Sequence, residues 1–140
     1  MSRIFWDTNL FVYLIEDYDE LSERVAALRT RMLARGDHLF TSTFTVGEVL
    51  VKPLEQGRDD LRQAYEQALT AGATIVPFDH DAAVAYARIR GDRTIKPPDA
   101  IQLACAAAVA VDLFITNDNR LSKKSVAGVQ FLSSLDTAPL

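Results

Sequence analysis

The chain has 140 residues, the size of a single domain, and its one cysteine excludes an internal disulfide framework. Hydrophobic residues make up 49% and charged residues 24%, as in ordinary globular proteins, and the net charge of −4 argues against a protein that coats nucleic acid. No apolar run approaches the roughly 20 residues of a membrane helix, and the start of the chain has no signal-peptide pattern. We therefore expect one domain, residues 1–140, without a membrane partner and in the cytoplasm.

Hydrophobic spacing predicts strands that alternate with helices along the whole chain. In chain order, the predicted strands cover residues 3–6, 38–41, 74–77, 112–116 and 129–132. The predicted helices cover residues 8–16, 21–35, 45–54, 59–71, 79–90 and 99–109. Gly36 and Gly72 are expected just beyond the ends of two of these helices. This alternation is typical of a doubly wound α/β fold with a parallel sheet.

Two acidic residues stand at the carboxyl ends of predicted strands. Asp7 comes directly after the first strand, and Asp118 follows the segment Phe-Ile-Thr-Asn at residues 114–117. If both strands point the same way, both carboxylates emerge at the carboxyl edge of the sheet, where such folds bind their ligands. Each residue also has a simpler interpretation, because Asp7 could cap the next helix and Asp118 could be a turn residue.

Two further acidic residues lie on predicted helices. Asp99 opens a helix after two prolines, a position at which capping is the simplest role. Glu48 falls outside the apolar stripe of its helix and could form an exposed pair with Lys52 four residues later. Spacing alone leaves both interpretations open.

Taken together, several segments resemble the PIN domain family in their order and context. They are Ile-Phe-Trp-Asp-Thr-Asn at residues 4–9, Glu48 in the third helix, Pro-Asp-Ala-Ile-Gln-Leu-Ala at 98–104 and Phe-Ile-Thr-Asn-Asp at 114–118. The resemblance extends from residue 4 to about residue 131. It implies an α/β/α sandwich around a central, mostly parallel sheet of short strands.

The same resemblance implies a ribonuclease that uses Mg²⁺ or Mn²⁺ held by acidic side chains. The implied catalytic and metal-binding residues are Asp7, Glu48, Asp99 and Asp118. Residues expected to orient the carboxylates or to support them are Thr8, Asn9, Thr116 and Asn117. Hydrolysis at such a site is expected to leave 5′-phosphate and 3′-hydroxyl ends.

The resemblance also bears on partners. Many stand-alone bacterial and archaeal PIN domains are VapC-type toxins held inactive by a cognate antitoxin, and family precedent favours a homodimer. The segment 119–121 reads Asn-Arg-Leu, where many of these toxins have an Asp-Phe pair. This departure bears on the toxin assignment and leaves the nuclease assignment intact.

Basic residues are concentrated beside two of the candidate aspartates. Seven of the 15 lysines and arginines lie between residues 88 and 124. They form either an ordinary solvated surface or a surface that binds RNA phosphates. The predicted phosphate contacts are Arg93, Lys96, Arg120 and Lys123.

Two alternative functions are compatible with parts of the sequence. A receiver-type signalling domain shares the α/β plan, the acidic site and Mg²⁺. The acidic pair that a receiver domain has after its first strand is missing here, however, and Lys96–Pro97 precedes a predicted helix instead of following a late strand.

The other alternative is a PIN-like module that binds RNA or protein without cleavage. All four acidic positions are present, so nothing in the sequence indicates a loss of activity.

Overall fold

The computed structural model describes all 140 residues and contains one five-stranded sheet. The strands are β1 (Arg3–Trp6), β2 (His38–Ser42), β3 (Thr74–Val76), β4 (Leu113–Thr116) and β5 (Phe131–Ser134). The helices are α1 (Thr8–Ile15), α2 (Glu20–Arg35), α3 (Thr43–Glu55), α4 (Asp59–Gly72), α5 (His80–Ile89) and α6 (Pro97–Ala108). The strand order is β3-β2-β1-β4-β5, and every pairing is parallel. The predicted fold class is confirmed.

Alternating side chains of the central strands build two separate cores. Ile4 and Trp6 of β1 pack on one face of the sheet with apolar residues of α1 to α4. Phe5 packs on the opposite face with residues of α5 and α6, and its ring stacks on Phe114 at a centroid distance of 5.2 Å. Helices therefore cover both faces, which makes the molecule an α/β/α sandwich.

Several element boundaries differ from the sequence prediction for local reasons. Helix α6 begins at Pro97, two residues early, because the first turn of a helix tolerates proline. Strand β5 begins at Phe131, two residues later than predicted. Gly36 has φ of 74° and ends α2 in the left-handed conformation, as expected. Gly72, by contrast, is the last helical residue of α4, and the extended residue Ala73 ends that helix.

The strand order places a switch point between β1 and β4. The chain moves outward from β1 through β2 to β3 on one side, and through β4 to β5 on the other. Parallel sheets bind ligands in the crevice beyond the carboxyl ends of strands at such a point. Asp7 and Asp118 follow the two strands that border this crevice. None of the helices combines the length and the apolar character needed to span a membrane.

Candidate active site

Asp7 lies at the junction of β1 and α1 and accepts hydrogen bonds with both carboxylate oxygens. Oδ1 accepts the backbone N–H of Thr8 at 2.9 Å, so Asp7 is the N-cap of α1. Oδ2 accepts the hydroxyl of Thr116 at 2.9 Å, from the end of the neighbouring strand β4. Asp7 therefore caps α1 and also borders the crevice.

Asp118 follows β4 and is also bound to its neighbours. Its Oδ1 accepts the backbone N–H of Arg120 at 2.9 Å and that of Leu121 at 3.2 Å, which begins a short 3₁₀ turn. Its own N–H donates to Thr116 Oγ1 at 3.1 Å. Thr116 thus connects Asp118 to Asp7 through a single hydroxyl group.

Glu48 reaches the crevice from α3. Thr8 Oγ1 donates a hydrogen bond to Glu48 Oε1 at 2.5 Å, although the two residues are 40 positions apart in the sequence. The alternative pairing of Glu48 with Lys52 is wrong, because Lys52 Nζ lies 2.6 Å from Glu16 Oε1 instead. Thr8 is therefore the residue that links Glu48 to α1.

Asp99 lies in the first turn of α6 and is half-buried. The N-cap position belongs to Lys96, which makes no side-chain capping bond, so Asp99 does not fill the capping role that its position suggested. Burial raises the pKa of Asp99, and the negative charges of Asp7 and Asp118 act in the same direction. Asp99 therefore faces the two strand-end aspartates.

Burial and repulsion also raise the pKa of Asp7. Burial has the largest effect, and the charges of Glu48 and Asp118 add to it, while hydrogen bonds from Thr116 and Thr8 oppose it. Glu48 and Asp118 thus lie close enough to Asp7 to act on its pKa, and Asp7 acts in turn on Asp99. Such a site is more favourable when positive charge is added to it.

The donor set fits a hard divalent cation through a mixed shell of protein and water ligands. No three carboxylate, histidine or cysteine side chains lie close enough together to hold one ion by themselves. Mg²⁺ usually keeps several waters and binds only one or two carboxylates. Carboxylate and hydroxyl oxygens at the crevice supply the ligand type that such ions prefer.

The supporting residues divide into those that reach the site and one that does not. Thr8 and Thr116 each hold a carboxylate, as described above. Asn117 donates from Nδ2 to the hydroxyl of Tyr13 at 3.0 Å, which joins the end of β4 to α1. Asn9 is exposed on α1 and forms none of the hydrogen bonds that link the acidic residues.

The basic residues predicted to bind phosphate are all exposed. The positive charges of Lys96 and Arg120 oppose the rise in the pKa of Asp99, which places both beside the acidic crevice. Arg93 and Lys123 form no ion pair within the chain, so both charges are available to a ligand. Lys124, the next residue, is already paired with Asp92 at 3.4 Å.

Sequence analysis missed a buried polar cluster beneath the crevice. Gln102 of α6 lies among apolar residues, and its Nε2 is 2.7 Å from Thr45 Oγ1 and 2.9 Å from Thr8 Oγ1. Ser42 donates to the amide oxygen of Gln102 from the end of β2. The available signal was a glutamine within an otherwise apolar helical segment, because a buried amide needs hydrogen-bond partners.

An α/β/α sandwich with carboxylates at the carboxyl edge of a parallel sheet defines the class of this protein. The model of the PIN domain family matches residues 4–127, so the chain belongs to the PIN domain family. Its membership excludes the receiver-type alternative. Among curated proteins, no sequence matches the chain significantly.

Solved structures share this fold at low sequence identity. A chain of VapBC2 from Rickettsia felis, bound to a promoter DNA fragment, has a TM-score of 0.75 and 14% identity; the match covers 94% of this chain and 98% of that one. A chain of DNA-bound VapBC from Salmonella typhimurium has a TM-score of 0.69 and 15% identity, over 96% and 99%. A chain of VapBC-5 from Mycobacterium tuberculosis, a toxin–antitoxin family member, has a TM-score of 0.62 and 23% identity, over 95% and 99%.

Proposed function

We propose that this PIN domain is a ribonuclease dependent on Mg²⁺ or Mn²⁺, with Asp7, Glu48, Asp99 and Asp118 as its catalytic and metal-binding residues. The observation that carries the proposal is the convergence of these carboxylates at the switch point of the sheet, with raised pKa values for Asp7 and Asp99. Family membership and the exposed basic residues beside the crevice support it.

The side chains of the crevice have different roles in the proposed reaction. A bound cation would polarise the phosphoryl oxygen and supply a water of lowered pKa. Thr8 and Thr116 keep Glu48 and Asp7 oriented toward the crevice. Lys96 and Arg120 would bind phosphates of the RNA strand, since their positive charges act on Asp99 at the crevice. In-line attack of water on phosphorus then releases the 3′ oxygen of the ribose and leaves a 5′-phosphate.

The direct test is cleavage of a panel of single-stranded and structured RNAs by the purified protein. We expect cleavage with Mg²⁺ or Mn²⁺, none with EDTA, and 5′-phosphate ends on the products. Asp118→Asn should reduce the rate at least a hundredfold, on the order of the loss when a group that stabilises the transition state is removed. Intact RNA with both metals would favour the module that binds without cleavage, and 2′,3′-cyclic phosphate ends would overturn the hydrolytic mechanism.

We further propose that this nuclease is the toxin of a toxin–antitoxin pair, held inactive by a cognate antitoxin. The VapBC complexes that share its fold support this proposal. A gene for a small DNA-binding protein directly upstream would agree with it. The expected biochemical result is that the product of this gene co-purifies with the chain and suppresses RNA cleavage; a neighbour that does neither would count against the pairing.

The proposed toxin would act as a homodimer. Two exposed apolar side chains that line one shallow pocket with Glu48 support this proposal: Val51 of α3 and Phe78, which precedes α5. Burying such a surface against a second copy would remove apolar area from water. Sedimentation analysis should give twice the mass of the chain, and Val51→Asp should convert the dimer to a monomer. A wild-type monomer at high protein concentration would refute the proposed assembly.

A further inference from the structure

Gln102 is a buried amide whose hydrogen-bonding groups all have partners. Its side chain lies on α6, one turn after Asp99, and the residue is only 1% exposed. Nε2 donates to the hydroxyl oxygens of Thr45 and Thr8, and Oε1 accepts the hydroxyl of Ser42. The same Nε2 lies 3.5 Å from Oδ1 of Asp7. One side chain therefore contacts α1, α3 and the end of β2 together.

The hydrogen bonds of Ser42 determine which way this amide points. Ser42 is the N-cap of α3, and its Oγ accepts the backbone N–H of Thr45 at 3.1 Å. The hydroxyl proton of Ser42 is therefore free to donate to Gln102, which fixes Oε1 on that side. The NH₂ group must then face the two threonines, since an amide has its donors on nitrogen and its acceptor on oxygen.

This orientation decides where the single hydroxyl proton of Thr8 goes. Because Gln102 donates to Thr8 Oγ1, the proton of Thr8 remains available for Glu48 Oε1, 2.5 Å away. A reversed amide would place Oε1 against Thr8 and compete with Glu48 for this proton. In a chain of hydrogen bonds each donor strengthens the next, so the amide also polarises the Thr8 hydroxyl toward Glu48.

The bond from Thr8 is the only hydrogen bond of the Glu48 side chain. Glu48 lies on the exposed side of α3, and its expected partner Lys52 is bound to Glu16. We propose that Gln102 is a positioning residue that holds Glu48 in the crevice through the hydroxyl of Thr8. Its effect on cation binding rests on the function proposed above, whereas its effect on the Glu48 side chain does not.

The first arm of the test uses crystal structures without metal. In Gln102→Met, which keeps the length of the side chain and removes its donors, we expect Glu48 to leave Thr8 and to lose its single conformation. Thr41→Val is the matched control, because it also removes a buried polar group from this cluster. The lost hydroxyl contacts the Trp6 carbonyl and Thr45, but it does not contact Thr8 or Glu48. Glu48 should remain bound to Thr8 in that variant.

The second arm measures Mn²⁺ affinity by electron paramagnetic resonance of the free ion. Gln102→Met should bind Mn²⁺ about 10-fold more weakly, the lower end of the effect of a residue that orients a metal ligand. Thr41→Val should change the affinity less than about twofold, because it leaves the bonds from Gln102 to Thr8 and from Thr8 to Glu48 in place. In a Glu48→Gln background, Gln102→Met should have little further effect, because its target is already removed.

If Gln102→Met fails to fold, Gln102→Asn provides a polar variant that is shorter by one methylene group. Its amide no longer reaches Thr8, so the Thr8 hydroxyl is free to turn to Thr45 Oγ1, 3.2 Å away, with the same expected displacement of Glu48. Glu48 still bound to Thr8 in either folded variant would overturn the positioning role. A wild-type protein that binds no Mn²⁺ would instead overturn the proposed metal-dependent function, and the metal-free structures would still decide the role of Gln102.

Discussion

At the scale of single residues, capping and membership of the acidic crevice are compatible. Asp7 caps α1 with one oxygen and accepts Thr116 with the other, and Asp118 holds a turn while it borders the same crevice. The reason is geometric, because helices and turns that begin at the carboxyl edge of a sheet present free N–H groups there. A carboxylate placed at that edge satisfies these groups and still faces the crevice.

Asp99 differs from the other two aspartates, and this leads to a prediction about stability. It provides no cap, so Asp99→Asn loses only the attraction of a charge to the helix N-terminus, about 0.3–1 kcal/mol. Burial and the charges of Asp7 and Asp118 raise the pKa of Asp99, so the ionised form destabilises the fold above the unfolded-state pKa. In EDTA at pH 7, Asp99→Asn should melt at the same temperature as the wild type or higher.

The same comparison, repeated over pH and with metal, completes this prediction. The advantage of Asp99→Asn should disappear as the pH falls toward the unfolded-state pKa, where the wild-type carboxyl becomes neutral. Excess Mn²⁺ should stabilise the wild type by about 2.7 kcal/mol at a hundredfold excess over Kd and the variant much less. A variant that is clearly less stable in EDTA yet keeps the full Mn²⁺ shift would make Asp99 a structural residue.

At the scale of elements, Glu16 is an acidic residue outside the crevice that joins three helices. Glu16 ends α1 and accepts hydrogen bonds from Lys52 of α3 and from the hydroxyl of Tyr65 in α4. Burial alone would raise the pKa of Glu16, but these two bonds and the positive charges of Lys52 and Arg58 together hold the pKa below the ordinary value of a glutamate. The contact therefore stabilises the fold above the unfolded-state pKa and is lost as the pH falls through the folded-state value.

Tyr65→Phe should lower the free energy of unfolding at pH 7 by about 1.5–3 kcal/mol, the value of a hydrogen bond to a charged group. The difference from the wild type should shrink as the pH falls through the lowered folded-state pKa of Glu16, because a protonated Glu16 no longer offers a charged acceptor. Tyr18→Phe is the control, since Tyr18 is 44% exposed. Chemical denaturation over a series of pH values from neutral to acid tests this, and a loss that stays constant to the acid limit of the folded state would contradict it.

Alanine substitution at two glycines, Gly128 and Gly47, should change the stability of the protein in opposite directions. Gly128 has φ of 90°, and a Cβ atom there would lie 2.9 Å from Cβ of Ala107 in α6. Gly128→Ala should therefore cost about 1–3 kcal/mol through strain and overpacking. Gly47 lies inside α3 with open space around it, so Gly47→Ala should stabilise the protein by roughly 0.5–1 kcal/mol. Melts of the two variants that shift in the same direction would contradict this assignment.

The sequence predicted elements better than it predicted contacts between them. Apolar periodicity located all five strands, and the alternation of Ile4, Phe5 and Trp6 between two cores follows from the strand period of two. The partner of Glu48 was not predictable, because Thr8 is 40 residues away and helical spacing favours Lys52. The role of Gln102 depends on three other elements, and periodicity within one helix contains no information about them.

At the scale of the whole molecule, a negative net charge is combined with basic side chains beside the acidic crevice. The chain carries −4 overall, yet Lys96 and Arg120 lie beside Asp99, and Arg93 and Lys123 are exposed and unpaired. If the molecule binds RNA as proposed, such a charge distribution favours binding of the strand at one place and not over the whole surface. Composition alone gives the negative net charge, but it does not show which basic residues lie beside the crevice.

The last prediction concerns the salt dependence of RNA binding, measured with Ca²⁺ to prevent cleavage. Each phosphate contact releases counterions, so replacing a true contact with Ala should reduce the slope of log K against log salt concentration by about 0.7 for a single strand. We expect this for Lys96→Ala and Arg120→Ala, whose charges act on Asp99. Lys124→Ala is the matched control, because its ammonium is already paired with Asp92 and with Thr94. If all three variants keep the wild-type slope, the basic residues beside the crevice are an ordinary solvated surface and RNA binds elsewhere.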